Sequence, residues 1–149
     1  TGEAVTYPVT VPAGTTYVRF AMFDAEVNPA SDIDLEVYNA AGTLVASSGS
    51  GTSTETANLS NPAAGTYTVR VVGFATGSGA ASYKLHTFVL GSTATGNMSI
   101  TAPTSAVLGT TGTIAITTTG LTAGTRYLGS VVYSGMAGLP GPTIVRVDP

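Results

Sequence analysis

Asp24, Glu26, Asn28, Asp32 and Asp34 place five oxygen-bearing side chains within eleven residues, and with Glu36 this stretch holds five of the chain's eight acidic residues. Carboxylates and amides are hard oxygen donors, and calcium takes six to eight of them. The run Asp24-x-Glu26-x-Asn28 resembles the start of a helix-flanked calcium loop. Pro29 stands where such a loop needs its sixth-position Gly, and Leu35 stands where it needs its closing Glu, so that motif is excluded. An irregular calcium site in a β-rich loop stays open, with these five residues as its ligands. The same acids also read as a solvated rim, with Glu36 or Asp34 pairing Arg19 across strands; exposed pairs of this kind contribute little.

Tyr17, Arg19 and Tyr38 form the second candidate constellation. Tyrosine offers apolar area and a hydroxyl at low entropic cost, which suits a surface that grips protein. These three are the expected substrate-binding residues. Hydrolytic chemistry has little to work with. The one histidine, His86, falls on the outward face of its strand beside Lys84. No Gly-x-Ser-x-Gly elbow is present. The chain has no cysteine, which removes disulfides, thiolate metal sites and thiol nucleophiles. A carboxylate pair for glycoside hydrolysis would need a cleft, which a single short-looped sandwich rarely makes. No catalytic residue is assigned, and the chain reads as a non-enzyme.

The elements that position these residues are strands. In Ser31–Tyr38, Ile33, Leu35 and Val37 alternate with Asp34, Glu36 and Tyr38, the period of a strand with one buried face. Thr16–Phe23 is apolar on both faces and is expected to be central or covered on both sides. Glu3–Val11 carries Pro8 and is expected at an edge. Thr54–Leu59, mostly polar, is expected at another edge. Thr43–Ser47, Thr66–Val72 and Ser82–Val89 complete the first set, with Tyr67, Val69 and Val71 inward and Tyr83, Leu85, Thr87 and Val89 on one side. Shorter strands follow at 98–101, 106–108, 113–118, 127–133 and 143–147, with turns at 120–124 and 136–141. No helical period of useful length appears.

The 149 residues are 43% hydrophobic but only 9% charged, with 19 glycines, 8 prolines and a net charge of −3. Regular alternation in so turn-rich a chain predicts an all-β fold. Residues 1–91 are expected to form one β module, 92–96 a linker, and 97–149 a smaller β module. The five basic residues, Arg19, Arg70, Lys84, Arg126 and Arg146, are scattered, which argues against nucleic acid as a partner. No stretch approaches the roughly 20 apolar residues of a membrane helix, so no membrane association is expected. The chain begins mid-pattern, as expected of a fragment or a processed domain of something larger.

Four motifs in order carry a family likeness: Val11-Pro12-Ala13-Gly14, Asp32-Ile33-Asp34-Leu35-Glu36-Val37-Tyr38, Gly65-Thr66-Tyr67-Thr68-Val69-Arg70-Val71 and Tyr83-Lys84-Leu85. Through them residues 3 to 90 resemble the bacterial pre-peptidase C-terminal domain. Residues 97–149, through Thr113-Ile114-x-Ile116, Gly124–Gly129 and Thr143–Val147, look like the short Ig-like or fibronectin-III-like tail of secreted subtilisin-like serine peptidases. The resemblance implies a jelly-roll-like antiparallel β-sandwich followed by a smaller Ig-like β module, together a non-catalytic C-terminal accessory domain, extracellular, whose partners are the catalytic domain of its own parent chain and an insoluble protein substrate. Some such domains bind calcium, the one cofactor it suggests. A carbohydrate-binding or adhesive module is the alternative, since sandwiches host many functions; the absence of Trp speaks against it.

Overall fold

The computed structural model describes residues 2–77, 79–135 and 137–149; Thr1, Ser78 and Met136, the last in the expected turn at 136–141, lie outside the description. The chain divides into two compact units, Thr1–Ser92 and Thr93–Pro149.

The first unit is an antiparallel β-sandwich. Its strands are β1 (Ala4–Val11), β2 (Thr15–Ala21), β3 (Ser31–Tyr38), β4 (Leu44–Ser48), β5 (Thr56–Ser60), β6 (Gly65–Thr76) and β7 (His86–Gly91). One sheet runs β1-β6-β3-β4 and the other β5-β2-β7. The alternation of β3 lands as its pattern demands: Ile33, Leu35 and Val37 are buried and the residues between them are half-exposed. From the facing sheet, Val18 and Phe20 of β2 and Ala57 and Leu59 of β5 close the core, joined by Tyr67, Val69 and Val71 of β6 and by Met22. Packing two apolar sheet faces together is what lets so charge-poor a chain hold one structure.

β2 is the central strand of its sheet, and residues on both of its faces are buried, Phe20 on one and Tyr17 and Ala21 on the other. β1 and β5 are edges, and Pro8 sits within the first of them. The β3–β4 hairpin is closed by Asn39, whose side-chain oxygen accepts from the Ala41 and Thr43 amides at 3.0 Å each. Gly42 takes φ +77° in that turn, a value most side chains resist.

β6 runs four residues past the expected end, because β3 begins beside it at Ser31↔Thr76 and the Gly73 amide donates to Glu3 O at 2.9 Å. A bulge between Asp32 and Ile33 leaves Phe74 without a partner on β3. β7 starts at His86 rather than Ser82. Its faces also depart from expectation: Thr87 and Val89 pair with Phe20 and Val18 but are exposed, whereas His86, Phe88 and Leu90 are half-buried. Tyr83 and Leu85 do pack on the core.

The second unit consists of two antiparallel ribbons. β8 (Met98–Thr101) pairs with β9 (Ala115–Thr118), and β10 (Tyr127–Val131) pairs with β11 (Thr143–Val147). A cavity of about 190 Å³ lies in this unit, lined by Met98, Leu121, Tyr127 and Val145 among others. Residues 106–108 are not a strand: the Thr110 amide donates to Val107 O at 3.1 Å, closing a turn that leaves Leu108 fully exposed. No helix among the described residues is long and apolar enough to cross a membrane.

Candidate functional site

The outer faces of the first unit's two sheets separate the residues expected to act together. Tyr38 lies on the outer face of β3, in the first sheet. Its hydroxyl donates to Glu36 Oε2 at 2.9 Å, and Arg70 donates to the same oxygen at 2.7 Å. Glu36 and Arg70 are direct cross-strand partners, so register alone brings the charges together. The Glu36 carboxylate in turn raises the Arg70 guanidinium above its ordinary value.

Tyr17 and Arg19 belong to β2, in the second sheet, so Tyr17, Arg19 and Tyr38 do not form one patch. Arg19 donates from Nε to Asn58 Oδ1 at 2.8 Å and from a terminal nitrogen to the Tyr17 hydroxyl at 3.0 Å, with its guanidinium 5.7 Å from the Tyr17 ring centre. Tyr17 is only 8% exposed, which leaves little ring for a partner to grip. Arg19 therefore pairs with neither Glu36 nor Asp34.

The five expected calcium ligands also divide. Glu26, in a 3₁₀ turn at Asp24–Glu26, is engaged by His86 at 2.6 Å and by Lys84 at 3.8 Å. His86 is thus a hydrogen-bond partner of Glu26 packed against Phe23 and Phe88, not a free solvated side chain. Asn28 exchanges backbone hydrogen bonds with Ser82 at 2.9 Å each. Asp24 lines a recess of about 400 Å³ that Asp32 also lines. Asp32 and Asp34 share the outward face of β3, and the Oδ1 of each is buried without a hydrogen-bond partner. Burial first, then the negative charges of Asp32, Glu55 and Glu36, push the Asp34 carboxyl above its ordinary value.

Glu55 was not singled out by sequence, yet it is 1% exposed. It accepts from the Ser50 amide and the Ser50 hydroxyl at 2.7 Å each, and from the Ser48 hydroxyl. A signal was present: Glu55 is in phase with Ala57 and Leu59, the inward face of β5. The chain turns back tightly here, for a Cβ on Gly49 would fall 3.2 Å from the Asp34 carboxyl carbon. Among the described residues, no three His, Cys, Asp or Glu side chains form a ready-made metal cluster.

Comparison with curated proteins finds no match to the chain. Residues 3–73 match the family described as the bacterial pre-peptidase C-terminal domain. That span takes in β1 to β5 and most of β6, including both Asp32 and Asp34. Over those residues the first unit is similar to the bacterial pre-peptidase C-terminal domain family, whose members are non-catalytic accessory domains of secreted bacterial peptidases.

Proposed function

We propose that the chain is the C-terminal accessory part of a secreted subtilisin-like serine peptidase, in which the sandwich holds protein substrate or steadies the catalytic domain. The family match over residues 3–73 carries this reading. The second unit, built of two ribbons, fits a short Ig-like or fibronectin-III-like tail. The substrate-holding face is the outer face of β3 and β6, where Tyr38 and Arg70 are displayed around Glu36. The test is cosedimentation of the chain with insoluble protein. Retention is expected, with strong loss in Tyr38→Ala and Arg70→Ala and little change in Arg19→Ala. Equal retention of all variants removes the face. If nothing is retained, and the chain fused behind a subtilisin-like catalytic domain leaves that domain's melting temperature unchanged, the whole reading falls.

Calcium fits as an addition. The orphaned, buried Oδ1 atoms of Asp32 and Asp34 favour it, since two hard oxygens facing no donor are what a cation satisfies. Those two side chains would hold the ion, with backbone carbonyls and water completing its shell. So few carboxylates suit the weak class of extracellular sites, with Kd on the order of 10⁻⁴–10⁻³ M. A bound ion would supply rigidity rather than chemistry, and Glu26 would take no part.

A further inference from the structure

The segment Asp24–Ser31 connects β2 to β3, and it is tied to the stretch around β7 at two points. Asn28 and Ser82 exchange two backbone hydrogen bonds. Four residues further along, His86 Nε2 stands 2.6 Å from Glu26 Oε2, and Lys84 Nζ stands 3.8 Å from Glu26 Oε1. The imidazole is fixed by two rings: Phe23 meets it edge-on at 5.4 Å and Phe88 stacks at 6.2 Å with planes 10° apart. The His86 and Glu26 side chains are 22% and 18% exposed. In such partly dehydrated surroundings a charged hydrogen bond is much stronger than a neutral one. Among the described residues, the charged groups at the ring are Glu26 from the 3₁₀ turn and Lys84 from its own segment. β2 presents Ala21 opposite His86, and Arg19, opposite Phe88, is turned to Asn58 and Tyr17.

We propose that His86 and Glu26 form a proton-sensitive clasp on the Asp24–Ser31 segment. Imidazole is the side chain that ordinarily changes charge between pH 5 and 8. With the ring protonated, the ion pair locks the segment. With the ring neutral, the His86–Glu26 contact falls to one ordinary hydrogen bond and the segment loosens. The consequence reaches the recess, because Asp24, Val27, Ala30 and Ser31 line it together with Asp32 and Thr52. The clasp does not depend on calcium or on a peptidase partner.

A double-mutant cycle tests it. Glu26→Gln, His86→Gln and the double variant are unfolded with denaturant at about pH 6 and about pH 8.5. The coupling between the two sites is expected to be about tenfold in the folding equilibrium at the lower pH and several-fold smaller at the higher. Equal coupling at both, or none, overturns the proposal. Wild-type protein gives a second readout, since the chain has one histidine and its ring resonance needs no assignment. The Val27 and Asn28 amide resonances are expected to move with the ring through its titration. Amides that stay still while the ring titrates also overturn it.

Discussion

The hydroxyls of Tyr7 and Tyr83 meet at 2.8 Å, 76 residues apart in the chain. Tyr7 comes from β1 in the first sheet, and Tyr83 precedes β7 in the second, so the bond stitches the two sheets at the margin of the core. Tyr83→Phe keeps the ring and removes the bond. It is expected to cost about 1 kcal/mol, read from the denaturant midpoint at neutral pH.

The same pair predicts an alkaline weakness. Burial first, then the Tyr7 hydroxyl, raises the Tyr83 phenol well above its ordinary value. Below about pH 10 both folded and unfolded chains keep the proton, and pH does nothing through this group. Above it the unfolded chain loses its proton first, so stability falls as pH rises. Tyr83→Phe is expected to flatten that fall between about pH 10 and 11.5, beyond the loss shared with the other tyrosines. An identical slope in wild type and variant would show that the phenol is equally free in both states.

Glu55 predicts the largest single loss near the acidic stretch. Its carboxylate accepts from Ser48 and twice from Ser50, and Ser48 Oγ in turn accepts from the Thr56 amide at 3.0 Å. Glu55→Ala takes the acceptor from those donors and leaves a hole where a side chain only 1% exposed had been, an expected loss of about 3 kcal/mol. Glu55→Gln keeps one acceptor oxygen and is expected to cost about half as much. Chemical denaturation of the three proteins decides it; equal stability would mean that the Ser48–Ser50 turn re-forms its bonds without the carboxylate.

These cases mark where sequence was legible and where it was not. The strands were visible because their physics is local: period two in Ile33, Leu35 and Val37, a proline in edge strand β1, apolar residues on both faces of β2. The partners were not, because they are set by which strands become neighbours. Nothing local says that Glu36 meets Arg70 rather than Arg19; that follows from β3 lying beside β6 while β2 lies in the other sheet. His86 looked solvated because its strand phase points outward, and only the 3₁₀ turn carrying Glu26 makes that face a contact. Val107 and Leu108 looked like strand because they are apolar, but Thr110 closes a turn around them and leaves them exposed.

The connector between the units gives a prediction about autonomy. Residues 91–96 are all exposed, and beyond Gly91 none of them lies in a strand. Such segments are preferred sites of nicking, whereas paired strands resist. Elastase, which cuts after small residues, is expected to cleave first near Ala94 and to leave a long-lived fragment ending there, identified by mass. The core of Val18, Phe20, Leu35, Val37 and Val69 lies wholly within that fragment, so its denaturation should stay cooperative. Scattered cuts throughout residues 1–92 would contradict a self-sufficient first unit.

Asp34 ties the calcium reading to a sign that can be checked. Its carboxyl is raised above the ordinary value by burial and by Asp32, Glu55 and Glu36. A carboxyl so raised contributes most to stability below its unfolded value near 3.8, and that contribution is lost as pH rises through the folded value. At neutral pH, ionised Asp34 therefore works against folding when nothing cationic faces it. In chelator, Asp34→Asn is expected to melt a few degrees above wild type at neutral pH, with the gain fading as pH drops below the carboxylate range. In millimolar calcium the order reverses, because a ligand that binds only the folded state stabilises wild type by RT ln(1 + [Ca²⁺]/Kd) and the variant has lost a ligand. Asp32→Asn should lose the calcium response in the same way. Melting curves that ignore calcium in all three proteins would leave Asp32 and Asp34 as a rim of repelling charge and end the metal reading, whereas Asp34→Asn melting below wild type even in chelator would show that this carboxylate is held by a contact that burial alone does not explain.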